Sequence, residues 1–151
     1  MSKEWRNQAL QHFKSVCEKE FSFLVDDFGF TPTFLPPGEF VNDFQFRLSN
    51  SKITIVIEGI NYGNNAMVSI EDNYGRSVVP NQLMPGWKPF AKLKRQRKKD
   101  RLNQDQQIAQ AAKQLMDYGQ DVLNGDLERF QKIGDRLNNI EKRFKEYRLK
   151  G

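Results

Sequence analysis

At 151 residues and 17.7 kDa the chain fits one domain spanning 1–151, long enough to bury a core and too short for two independent ones. Apolar residues make up 38% and charged residues 28%, and no run nears the roughly 20 apolar residues that cross a bilayer, which excludes a membrane-spanning helix. A single cysteine, Cys17, and a single histidine, His12, exclude an internal disulfide and the usual structural zinc sites.

From Ser2, an N-cap residue type, to about Leu24, the apolar residues Leu10, Phe13, Cys17, Phe21 and Leu24 recur every three or four positions, flanked by Trp5, Ala9 and Val16. This spacing predicts an amphipathic helix over 1–24. The opening MSKEWRNQALQHF is polar where a secretory signal needs a continuous apolar stretch, so the expected compartment is the cytoplasm, in keeping with one unpaired thiol. Asp26-Asp27-Phe28-Gly29-Phe30 breaks the helix, with Gly29 suited to a left-handed end. Nine of the twelve phenylalanines lie at or before residue 46, so the first third of the chain should supply much of the core.

Thr31–Gly38 holds Pro32, Pro36 and Pro37 and reads as a connection with room for a short edge strand. Phe40, Phe44, Phe46 and Leu48 then alternate with Val41, Asp43, Gln45 and Arg47, the pattern of a half-buried strand. Ile53–Ile60 is rich in β-branched residues and reads as a central strand covered on one face by helix. Ala66–Asp72 and Ser77–Val79 follow as a third strand and a short last one stopped by Pro80, and the four- or five-residue connections favour an antiparallel meander within 39–80.

Charge is concentrated in the next stretch. Residues 1–91 carry 8 Lys/Arg against 10 Asp/Glu, whereas 92–151 carry 16 against 9. Seven of the ten residues from Lys92 to Arg101 are basic, and few apolar residues accompany them, which predicts an exposed basic segment over 91–104. Beyond it, 105–147 is helical. Ile108, Ala111, Ala112, Leu115, Met116 and Val122 mark one helix, Asn124-Gly125 stops it, and Asp126 caps the next. Phe130, Ile133, Leu137, Ile140, Phe144 and Tyr147 alternate spacings of three and four, the interval of a coiled-coil seam. That seam either packs back on the domain or joins two copies as a homodimer. The expected fold is therefore α+β: an N-terminal helix, an antiparallel meander of three to four strands, and two C-terminal helices packed on the sheet.

Two short motifs, Phe21-Ser22-Phe23-Leu24 with Phe28-Gly29-Phe30, and Tyr118-Gly119-Gln120-Asp121-Val122-Leu123-Asn124-Gly125-Asp126, bracket about residues 10–130. In these the chain resembles a group of small bacterial proteins of uncharacterised activity, some of which look like immunity proteins that neutralise a partner toxin. The resemblance implies an α+β fold and carries no catalytic residue, and the basic segment falls outside its pattern.

No catalytic signature stands out. His12 has no nucleophile or orienting carboxylate near it in sequence, and Cys17 falls on the apolar helix face. Asp26-Asp27 and Glu71-Asp72 read as turn residues, and Gly59, Gly63 and Gly75 belong to hairpins rather than a phosphate-cradling loop. Enzyme is the least supported class, and no cofactor or metal site is implied. Two interaction classes remain. One is a protein-binding module, immunity-like in the form the resemblance implies, with Phe130, Ile133, Leu137, Ile140, Phe144 and Tyr147 as a helix interface for another protein. The other is a nucleic-acid or acidic-partner contact built from Lys88, Lys92, Lys94, Arg95, Arg97, Lys98, Lys99 and Arg101, with Trp87 and Phe90 to stack bases.

Overall fold

The amphipathic N-terminal segment folds as two helices, α1 (Lys3–Glu20) and α2 (Ser22–Phe28), in a computed structural model that describes residues 3–34, 43–60, 63–89 and 100–150. The break falls at Phe21, whose backbone leaves helical geometry (φ −104°, ψ 13°) while its ring stays fully buried. Cys17, Phe21 and Leu24 all remain in the core on either side of this break. The helical stretch thus outlasts the expected end at Leu24 and stops at Gly29 (φ +70°). There Phe30 N–H reaches back to Leu24 O at 2.9 Å, the closure typical of a helix ended by a left-handed glycine.

Five antiparallel strands follow in sequence order: β1 (Thr31–Thr33), β2 (Gln45–Ser49), β3 (Ile53–Ile60), β4 (Asn65–Asp72) and β5 (Ser77–Val78). The expected meander is present, one strand larger because Thr31–Thr33 pairs with Arg47–Ser49. On one face the cross-strand rows Phe46–Ile57–Val68 and Leu48–Ile55–Ile70–Val78 are buried throughout. Burying side chains of this size is worth about 1.5–3 kcal/mol each, and these rows form the sheet side of the core. The opposite face carries Gln45, Glu58, Arg47, Ser69 and Glu71. Gln45 donates to Glu58 at 2.6 Å and accepts from Arg47 at 3.1 Å. Phe44 keeps its expected side, meeting Phe13 edge-on at 5.8 Å, whereas Phe40 and Val41 lie outside the described residues.

The helices that cover the apolar face are α3 (Gln104–Tyr118), α4 (Gln120–Leu123) and α5 (Glu128–Lys150), preceded by a 3-10 turn at Pro80–Leu83. Asn103 and Gln106 open α3 by reciprocal capping, each side chain bonding the other's backbone N–H at 2.9–3.0 Å. The first turn of α3 is then tied to β4: buried Gln104 donates to Asn65 O at 2.9 Å, and Gln107 accepts from Ala66 N at 2.7 Å. Gly59 makes room for this, since a Cβ there would stand 2.7 Å from Gln104 Nε2. Ile108, Ala112, Leu115, Val122, Leu123 and Phe130 complete the core with Phe13, Phe21 and the sheet. One expected helix is therefore two, because Gly119 interrupts it. A Cβ at Gly119 would lie 2.7 Å from Leu115 O, so the backbone turns there only without a side chain.

Candidate functional site

The second motif turns out to be the joint that aims α5. Arg129, in the first turn of α5, bonds both carboxylate oxygens of Asp121 (3.0 and 2.7 Å), Leu83 O at 2.7 Å, and Tyr118 O. Its side-chain bonds hold the Asp121 carboxyl below the usual carboxylate range. Val122 and Leu123 enter the core, Gly125 adopts φ +92° and accepts from Lys52 Nζ at 3.0 Å, and Asp126 caps Glu128 N–H. The first motif is equally occupied: Phe21 and Leu24 are buried, Phe23 and Phe28 pack edge to face, and Gly29 closes α2. Both motifs build scaffold.

A second clamp holds α5 against the β4–β5 turn. Asp72, with its side chain only 2% exposed, accepts from the N–H of Tyr74 and Arg76 and from the Arg76 guanidinium, which also reaches Asp135 at 2.8 Å. Burial, the largest influence on Asp72, opposes its ionisation, yet the bonds from Arg76 and Tyr74 together hold its carboxyl low. Gly134 permits the close approach: a Cβ there would sit 2.8 Å from Arg76 Cβ. Asn138 adds a bond to Gly75 O at 3.1 Å.

Burial falls off along the helix beyond Ile140. Phe130 is fully buried, Ile133, Leu137 and Ile140 are half-buried, and every residue from 141 to 149 is exposed. Phe144 is 53% and Tyr147 78% exposed, although both continue the seam that begins at Phe130. The six seam residues therefore divide. Phe130 is core and Ile133 packs against it, which corrects the expectation of one uniform interface, because a partner helix has no access to the Phe130 side chain already enclosed by the domain. The ion pairs of α5 are Arg129 with Asp121, Asp135 with Arg76, Lys132 with Glu128 and Lys145 with Glu141. Arg136, Arg143 and Arg148 stand outside them among the described residues.

For the basic stretch, Trp87 is half-buried with its backbone N–H on Met84 O at 3.2 Å, while Lys88 and Arg101 are exposed. Phe90, Lys92, Lys94, Arg95, Arg97, Lys98 and Lys99 lie outside the described residues. Of the expected 91–104 segment, Gln104 is buried as the first residue of α3 and Leu102 is half-buried, so its end is part of the fold.

His12 gains a partner invisible in sequence order: its Nε2 lies 2.6 Å from Asp105 Oδ2, on the exposed side of the α1–α3 contact. Two members of a nucleophile-activating triad are thus adjacent, but no hydroxyl or thiol among the described residues is hydrogen-bonded to His12. Cys17 is fully buried, and burial, reinforced by the negative charges of Asp105 and Glu18, pushes its thiol far above the ordinary range. Among the described residues no three His, Cys, Asp or Glu side chains gather as a metal-ligand set, and no helix is long and apolar enough to cross a membrane. Among the described residues, a shallow polar cleft lined by Asp27, Phe28, Asn50, Lys52 and Asn124 brings the ends of the two motifs together. No family model, curated protein or solved structure matches the chain.

Proposed function

We propose that the chain works by recognition rather than catalysis, as a cytoplasmic protein-interaction module that presents the distal half of α5 to a protein partner. One observation carries this reading: the seam continues through Phe144 and Tyr147 along a stretch where every residue from 141 to 149 is exposed. Stability alone gives no reason to place an aromatic ring as exposed as that of Tyr147 at seam spacing, whereas interface anchors are typically large aromatics. An immunity-like role, binding and blocking a toxin, is one form of this function. It draws support from the motif resemblance, and the partner would meet α5 rather than the motif residues, which are engaged in the scaffold.

Capture of partners from extracts of the native host tests the proposal. Tagged wild type should retain a protein that the Tyr147→Asp variant, equally folded by circular dichroism, loses. Identical capture by both would end it. A second reading, nucleic-acid binding, is supported by the seven basic residues in Lys92–Arg101. It requires a mobility shift that weakens steeply with salt and disappears when Lys94, Arg95, Arg97, Lys98 and Lys99 become glutamine.

A further inference from the structure

We infer that the partner offered to α5 is an acidic amphipathic helix, one with glutamate or aspartate beside its own apolar seam. The inference rests on the interaction reading above and specifies its chemistry. On a helix, residues just before the first and just after the second apolar position of each heptad flank the seam and face the flanks of an opposing helix. On α5 those flanks hold Arg136 and Arg143 on one side and Glu141 and Arg148 on the other. Glu141 pairs with Lys145 at 3.2 Å, four residues along the same helix, and is the one acid among these four flanking residues. The three arginines are exposed and take no part in the ion pairs of α5. The docking stripe is therefore apolar along its centre at Ile140, Phe144 and Tyr147, and its margins carry three arginines against one glutamate.

A second copy of this chain fits that stripe poorly. Paired in parallel, Arg143 of one helix faces Arg148 of the other while Arg136 faces Glu141; paired antiparallel, Arg136 faces Arg143 while Glu141 faces Arg148, so in either direction a like-charge pair cancels the opposite-charge one. Like charges in those positions oppose association, and glutamates there would complement all three arginines.

The full-length protein is titrated with two labelled peptides of three heptads, both with leucine along the seam, one flanked by glutamate and the other by lysine. Wild type should bind the glutamate peptide about tenfold more tightly or better, with the preference shrinking as salt is raised. In the Arg136→Glu, Arg143→Glu, Arg148→Glu variant the preference should reverse toward the lysine peptide. That reversal is a gain of binding, which an unfolded variant would not show. Equal affinity for both peptides, no binding of either, or an unchanged preference in the variant overturns the inference. So does a wild-type dimer in sedimentation equilibrium that Tyr147→Asp dissolves, which makes a second copy the occupant. Tight binding of a single-stranded RNA oligomer that the arginine reversal abolishes likewise overturns it in favour of nucleic acid. If Tyr147→Asp loses its partners from extract while wild type ignores the glutamate peptide, only the acidic-helix inference fails; if extract capture is unchanged, the interaction reading itself fails.

Discussion

The two halves of α5 share one apolar spacing and meet opposite surroundings. Phe130 belongs to the core cluster and Ile133 packs against it, while Phe144 and Tyr147 are exposed on the same helical stripe. Periodicity describes a face; what covers that face depends on where the helix is aimed. Here the aim is set by short-range devices at the proximal end: the Arg129–Asp121 clamp, the Gly134–Arg76 contact and the Asn138 bond to Gly75. The distal half has none of these, and it is the half free to differ in function.

That contrast is open to direct attack. Phe130→Ala, at a fully buried position, should cost about 3–5 kcal/mol in chemical denaturation, as expected for an emptied aromatic site. Gly134→Leu should cost about 1–3 kcal/mol by forcing Arg76 away from the helix, and the loss should exceed anything helix propensity returns. Asp121→Asn, with its ion partner partly exposed, should cost about 1 kcal/mol at neutral pH. Its effect should also depend on pH. The folded-state carboxyl of Asp121 is depressed, so its contribution is whole above the ordinary carboxylate value of about 4 and is lost as pH falls through the folded value. Wild type and variant should therefore converge in stability under acid. Asp72 has the same sign and keeps part of the acid sensitivity in the Asp121 variant. Tyr147→Asp should shift stability least, by about 0.5 kcal/mol or less. A large loss in that variant would place the distal half in the fold after all.

Much of the architecture was legible because it depends on local alternation. The β-branched run Ile53–Ile60 had to be a central strand, and short Gly- and Asn-rich connections left no room for parallel crossovers. What sequence order hid were pairings across long separations. His12 meets Asp105 from 93 positions away, and Gln104 and Gln107 dock on Asn65 and Ala66 from about forty. The two glutamines look like solvated surface in a polar stretch, and only the fold reveals that one is buried. Gly119 and Gly134 carried a usable signal: glycine within a helical pattern is costly and often marks a close approach. The exposure of Phe144 and Tyr147 had no such signal, because nothing in their spacing tells where the domain ends.

Pro32 bears on how copies of this protein meet. Gly59 N–H bonds Phe44 O at 2.8 Å, and the strand register carries that alternation across to β1, turning Thr31 and Thr33 toward β2 and the Pro32 nitrogen outward. A nitrogen without a proton gives an incoming backbone nothing to grip, and at the far side β5 ends after two residues before Pro80. Molecules crowded together are thereby discouraged from stitching their sheets into a continuous ribbon, a safeguard against fibrous aggregation that leaves a helical surface as the place for selective assembly.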